Sequence, residues 1–206
     1  MRKFFVSGIG TDVGKTVVSA ILVEALQADY WKPVQAGDLD FSDTDRVRGW
    51  VLNEKSFFHP NSYALNTPMS PHAAADLDGL HIDIEQIREP ETSNDLVIEG
   101  AGGVLVPLNE KDTMIDLIRD DYKTVVVSQN YLGSINHTLL TLEALRSRGI
   151  SICGLVFNGQ EVPTTEEIIR ELADVPVIGR VSQEEQIDAR VISKYAEQFR
   201  TKLQDL

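Results

Sequence analysis

The segment Phe4–Thr16, "FFVSGIGTDVGKT", decides how this chain is read. A short apolar run leads into a glycine-rich turn that closes on Gly14, Lys15 and Thr16, and the helix-forming stretch "KTVVSAILVEAL" follows. A standard nucleotide phosphate loop reads G-x-x-x-x-G-K-[ST]. Counted back from Gly14, its first glycine would stand at position 9, which is Ile9; Gly8 makes the loop one residue longer and Gly10 one residue shorter. The strand–loop–helix context nevertheless suits a phosphate. A helix start offers free N–H groups and the positive end of the helix dipole to an anion. Lys15 has the reach for terminal phosphates, and the Thr16 hydroxyl suits Mg²⁺. The segment therefore predicts a variant phosphate loop at the carboxyl end of the first strand, where parallel α/β sheets bind their ligands.

Outward from that loop, apolar runs alternate with helical patterns. Strands are predicted at 3–7, 30–34, 95–100, 124–128, 151–158 and 175–179, and helices at 15–28, 44–52, 115–120, 135–148, 164–173 and 188–203. Several of the strands are continuously apolar and β-branched, as strands buried on both faces should be. In the 135–148 helix, Ile135, Leu139, Leu142 and Leu145 fall on one face by 3.6-residue spacing. This rhythm predicts an α/β fold of three layers, with a mostly parallel central sheet flanked by helices. The length of 206 residues, with no internal repeat or linker, predicts one domain. The least regular stretch, 53–81, is rich in proline and asparagine and reads as a long loop with one helix after Pro71.

Nineteen basic residues against 32 acidic ones give a formal charge of −13. Such a surface argues against nucleic acid and anionic lipid as partners, since both want basic patches. The lone Cys153 excludes an internal disulfide. With no signal peptide and no apolar run long enough for a membrane, the expectation is a soluble cytoplasmic protein.

The loop variant is informative. Partitioning and division-site ATPases carry an extra lysine at the start of the loop, and that slot here is Gly10, followed by Thr11 and Asp12. Asp12 is unusual beside phosphates unless it faces a cation such as an amine or a metal. The pattern G-x-x-T-[DE]-V-G-K-T resembles the phosphate loop of the dethiobiotin synthetases. Further segments match that family in the same order: "KPVQAG" (32–37), "SDT" (42–44), "SPHAAA" (70–75), "EGAGG" (99–103), "VPL" (106–108), "LGSINHTLLT" (132–141) and "GLVFN" (154–158). The match runs from residue 4 to about 180.

The resemblance implies the P-loop NTPase fold and an ATP-dependent cyclo-ligase that closes the ureido ring in biotin synthesis. Its substrates would be 7,8-diaminononanoate, CO₂ and ATP, with Mg²⁺ as cofactor. A vicinal diamine takes up CO₂ as a carbamate, the carbamate oxygen attacks the γ-phosphate, and the second amine closes the ring and expels phosphate. Lys15 and Lys32 would be the catalytic cations for the γ-phosphate and the carbamate. Asp12, Val13, Gly14, Lys15, Thr16 and Val17 would hold the nucleotide, together with Gly100, Ala101 and Gly102. Thr16, Asp43 and Glu99 form a hard-oxygen set for Mg²⁺; Asp45 is the rival to Asp43. Asn158 would pair with adenine, and the segment around Ser182 would complete the purine pocket. Thr11 and Ala36 would face the diamine. Gly133, Ser134 and Asn136 precede or open a helix whose free amides suit the substrate carboxylate, and in that family this loop reaches the neighbouring subunit's substrate, which implies a homodimer with sites at the interface.

Three departures bear on substrate contacts. Ala36 replaces the family's serine or threonine, with Gln35 beside it as the polar group that could take its place; Tyr131 stands where some members carry lysine, and Ser182 where many carry proline. Other assignments on the same nucleotide scaffold remain open from the residues alone, namely an amide-forming synthetase of corrinoid synthesis and a partitioning-type regulatory ATPase. The four histidines show no metal-ligand spacing, Trp31 and Trp50 read as core or surface aromatics, and Cys153 reads as a core residue.

Overall fold

The computed structural model describes residues 1–204 and 206. Its strands are β1 (Lys3–Gly8), β2 (Asp29–Trp31), β3 (Val34–Ala36), β4 (Tyr63–Leu65), β5 (Leu96–Gly103), β6 (Tyr122–Gln129), β7 (Ile152–Gly159) and β8 (Val177–Ser182). Its α-helices are α1 (Lys15–Leu26), α2 (Asp43–Trp50), α3 (Pro71–Leu77), α4 (Ser134–Ser147), α5 (Pro163–Ala173) and α6 (Ala189–Gln204). Six strands form one sheet in the order β2-β5-β1-β6-β7-β8, and every pairing in it is parallel. The flanking helices complete the α/β arrangement expected from the strand–helix rhythm. Among the described residues, no helix is long and apolar enough to cross a membrane.

Strand β1 shows why the runs are continuously apolar. Successive side chains point to opposite faces, so Phe4 and Val6 join one buried cluster while Phe5 joins the other. The first face is covered by α1 and α6, the second by α3 and the segments that carry Ile82, Ile87, Leu108 and Met114. Helix α1 has no exposed residue. It lacks an amphipathic pattern because it is enclosed on all sides. Cys153 packs half-buried against the core, and burial pushes its thiol up to about 12.

Three expectations are corrected. The 30–34 strand breaks after Trp31, because Pro33 has no N–H to donate to the ladder; Val34–Ala36 leaves the main sheet and pairs in parallel with Tyr63–Leu65. The stretch read as loop, 53–81, thus contains β4 as well as the helix after Pro71. The 115–120 helix is only a 3₁₀ turn, Met114–Leu117, closed at its start by a Thr113–Asp116 capping box before the chain enters β6.

Phe4 is fully buried, whereas Leu172 on α5 is 56% exposed. Phe4→Ala should lower the unfolding free energy by roughly 3–5 kcal/mol, and Leu172→Ala should stay within about 0.5 kcal/mol. Urea unfolding of both variants checks this contrast.

Candidate active site

The sheet places β1 where the strand order turns, with β2 and β5 to one side and β6, β7 and β8 to the other. Ligands collect at the carboxyl ends of strands at such a point. A cavity of about 730 Å³ opens there, walled by the loop after β1, by Lys32 just past β2, by the start of α2 and by the end of β5.

The loop resolves the spacing question. A Cβ on Gly8 would lie 2.5 Å from the Val13 side chain, whereas at Gly10 nothing comes closer than 4.0 Å. Gly8 is therefore the glycine required by close packing, and the loop is the longer variant. Gly14 caps α1 with φ +95°, and a Cβ there would strike the Asn158 amide at 2.1 Å. Only glycine serves both demands. Lys15 folds back along the loop, and its Nζ donates to the Gly10 carbonyl at 2.7 Å. Burial pulls its pKa down to about 8, against the opposing pull of Glu99.

The acidic side of the cavity is organised around Lys32. Its ammonium, almost wholly buried, donates to Asp43 Oδ2 at 2.5 Å and to Glu99 Oε1 at 2.9 Å. The Thr16 hydroxyl donates to the same Glu99 oxygen at 2.9 Å, and the Tyr30 hydroxyl donates to Oε2 at 2.9 Å. Burial alone would lower the Lys32 pKa, but Glu99 and Asp43 outweigh it and hold it above the ordinary lysine range. Burial likewise pushes Asp43 up, yet the Lys32 ammonium outweighs it and keeps the carboxyl below the usual range.

Asp43 and Asp45 separate cleanly. Asp45 is the third residue of α2: its carboxylate accepts from the Ser42 N–H at 3.0 Å and the Ser42 hydroxyl at 2.6 Å, and its own N–H donates back to Ser42 Oγ. This capping box, joined by Arg48 at 2.9 Å, turns Asp45 away from Lys32. The S-x-x-D pattern at 42–45 is the signal that distinguishes the two carboxylates.

Thr11, Asp12, Gly14, Lys15, Thr16, Val17, Lys32, Ala36, Asp43, Glu99, Ala101 and Gly102 all line the cavity. Val13 does not: it is a core residue, and its carbonyl accepts from Asn158 Nδ2 at 2.9 Å. The Asn158 amide expected for adenine is thus bonded to the phosphate loop. Gly100 faces away, its missing Cβ directed at the Phe5 ring 3.2 Å away. The small residues of "EGAGG" carry the strand past its expected end at residue 100, and Gly103 pairs with Gly8. Ser182 ends β8, exposed, with its N–H donating to the Tyr195 hydroxyl at 3.0 Å. Gly133, Ser134 and Asn136 lie outside this cavity, at the start of α4; the cap there is Gly133, φ +102°, and the buried Ser134 hydroxyl has no partner among the described residues. Gln35, beside Ala36, lines the cavity with its Nε2 donating to the Gly37 carbonyl and its buried Oε1 unpartnered among the described residues.

Sequence reasoning passed over several wall residues. Trp50, read as a core or surface aromatic, stands at the cavity with Asp38, Arg46, Pro68 and Met69. "SPHAAA" contributes Ser70 and Pro71, while His72 lines a separate small cavity with His81 and Leu108. His137, in the first turn of α4, is exposed and meets the Tyr131 hydroxyl at 2.8 Å.

With this geometry in place, comparison with known proteins is decisive. Residues 2–191 match the sequence model of a family described as an AAA domain. The chain is 56% identical over 202 residues to the ATP-dependent dethiobiotin synthetase BioD of Christiangramia forsetii, covering 98% of both chains. It is 50% identical to the protein of the same name in Cytophaga hutchinsonii, over 95% of this chain and 96% of that one. The chain belongs to the dethiobiotin synthetase family. Among solved structures, the MinD cell division protein of Aquifex aeolicus superposes with a TM-score of 0.62 over 100% of this chain and 98% of its own, at 14% identity. A ParA family ATPase from Chlorobium tepidum gives 0.57 at 11% identity, covering 95% of this chain and 98% of its own. These likenesses establish the P-loop NTPase fold, while family membership rests on the synthetases.

The capping role of Asp45 yields a clean test. Asp45→Ala should lower stability by about 1 kcal/mol, the usual worth of a cap, while nucleotide affinity stays at the wild-type value. Denaturant unfolding and calorimetric ADP titration of the same preparation check both halves.

Proposed function

We propose that this chain is an ATP-dependent dethiobiotin synthase, joining CO₂ to 7,8-diaminononanoate with closure of the ureido ring. The observation that carries this reading is the buried Lys32 ammonium, held between Asp43 and Glu99 and sharing one cavity with Lys15 and Thr16 of the phosphate loop. A reaction that activates a carboxylate with a phosphoryl group needs cations placed where negative charge accumulates. The phosphate loop supplies one and the end of β2 the other.

In this reading the loop Gly8–Thr16 cradles the phosphates of ATP with its backbone N–H groups, and Lys15 faces the γ-phosphate. An anion beside Lys15 favours its charged form and reverses the depression that burial imposes. Lys32 holds the carbamate oxygen toward the γ-phosphate and neutralises charge as the carbamic–phosphoric anhydride forms. The second amine attacks the anhydride carbon, and phosphate leaves with the oxygen that bridged carbon and phosphorus. Asp12 and Thr11, exposed at the cavity mouth, are suited to the diamine, a carboxylate for an ammonium and a hydroxyl for hydrogen bonding.

Thr16, Asp43 and Glu99 fit Mg²⁺. They gather one hydroxyl and two carboxylates, hard oxygen donors for a cation that keeps several waters and binds phosphates as well. Bound there, the ion would offset charge on the triphosphate. The chain acts as a homodimer. Tyr131, Leu132 and Leu140 are exposed around the start of α4, and Gly133, Ser134 and Asn136 lie beside them, outside this chain's own cavity. In a dimer, those amides reach the carboxylate of a diamine bound by the partner.

Incubation with Mg²⁺, ATP, bicarbonate and 7,8-diaminononanoate should yield ADP, phosphate and a product heavier than the diamine by one carbonyl less two hydrogens, read by mass spectrometry. ATP hydrolysis without that product would remove the substrate assignment. Lys32→Gln should cut turnover by roughly 10²–10³-fold, the typical cost of losing one charge-stabilising group. Normal turnover in that variant would refute the role given to Lys32.

A further inference from the structure

Glu99 is fixed by three groups, and only two of them line the cavity. Lys32 and Thr16 share Oε1, while Oε2 is taken by the hydroxyl of Tyr30, which is fully buried and does not line the cavity. The strand register explains the contact. Tyr30 pairs with Val97 in the parallel β2–β5 ladder. Alternate residues of a strand share a face, so the Tyr30 side chain lies on the same side of the sheet as Glu99, two residues past Val97. Lys32, two residues past Tyr30, meets the same carboxylate from the end of β2.

The ring has no freedom to do otherwise. Its centroid lies 6.3 Å from that of Phe58, the Tyr30 N–H donates to the Phe57 carbonyl at 2.8 Å, and the His59 N–H donates to the Tyr30 carbonyl at 2.9 Å. Phenylalanine would fill the same space. The hydroxyl makes one hydrogen bond, and that bond ends on the carboxylate.

We propose that Tyr30 is a positioning residue: its hydroxyl anchors Glu99 Oε2 so that Oε1 is the oxygen offered, beside Thr16, to the divalent cation. This rests on the assignment of Glu99 to Mg²⁺ made above. Groups that orient a metal-binding carboxylate from behind are typically worth about 10–100-fold in metal affinity or activity. Tyr30 therefore sets how much Mg²⁺ the nucleotide complex needs, without touching nucleotide, substrate or metal.

The test is Tyr30→Phe, read by Mg²⁺ titration of the protein saturated with ADP, following tryptophan fluorescence, since Trp50 stands at the cavity wall. The half-saturating Mg²⁺ concentration should rise about 10-fold, while ADP affinity without Mg²⁺ stays unchanged. In a Glu99→Gln background, the further change Tyr30→Phe should move the Mg²⁺ midpoint no more, because the two residues act through one contact. A Tyr30→Phe protein with the wild-type Mg²⁺ midpoint overturns the proposal, even if its thermal unfolding midpoint falls, and so does an undiminished effect in the Glu99→Gln background. If the variant does not fold, the wild-type protein decides. The buried Tyr30 hydroxyl proton, followed by NMR, should shift when Mg²⁺ is added to the ADP complex, and an unmoved resonance overturns the inference. Wild-type protein whose ADP complex ignores Mg²⁺ altogether would overturn the Mg²⁺ assignment itself, and this inference with it, before any variant is made.

Discussion

A buried ammonium held between two carboxylates is the constraint on which the site depends. Lys32 and Glu99 are almost wholly out of water, where an unpaired charge would be costly. Glu99 and Asp43, from two different elements, together hold the Lys32 ammonium charged against the pull of burial. Breaking such a cluster at one member leaves an uncompensated buried charge. The end of β2, the start of α2 and the end of β5 are consequently held to one geometry. Pro33, directly after Lys32, turns the chain out of the main sheet at the point where the lysine is delivered.

The phosphate loop supplies the opposite wall by a different device. There the backbone does the positioning: Gly8 admits Val13, Gly14 takes a left-handed conformation against Asn158, and Lys15 closes the turn onto the Gly10 carbonyl. The MinD and ParA structures share this scaffold at low identity. On that scaffold the present chain sets a lysine, just past β2, between two carboxylates in the cavity it shares with the phosphate loop.

Much of this was readable from sequence, for physical reasons. Continuously apolar strands such as "TVVVS" can only be buried on both faces, and the glycine-rich turn before Lys15 admits few alternatives, so the parallel sheet and the loop at its edge follow directly. Lys32 could be placed at a strand end because an apolar run stops beside it, whereas Glu99, beside a similar stop, lies inside β5, which runs on to Gly103. Other features carried no such mark. Strands β3 and β4 are three residues long, too short to show a period, and sit among prolines and asparagines that suggest loop. Asn158 ends a strand as expected, but nothing local reveals that its amide is committed to Val13, 145 residues earlier. The Tyr30–Glu99 contact was accessible in principle, since Tyr30 and Lys32 alternate along one strand, but it required knowing that β2 lies beside β5. Asp45 could have been set apart from Asp43 by its capping spacing from Ser42 alone.

If this site activates a carboxyl oxygen with the γ-phosphate of ATP, as proposed, that oxygen ends in the released phosphate. Oxygen transfer tests it most directly: a brief reaction of the diamine and Mg·ATP with ¹⁸O-labelled bicarbonate, with the released phosphate analysed by ³¹P NMR or mass spectrometry. Passage through a carbamic–phosphoric anhydride predicts one labelled oxygen in the phosphate, carried from the carboxyl group. Product formed with unlabelled phosphate would mean that ATP is cleaved by water and not by the carbamate, and the account of Lys15 and Lys32 would be wrong.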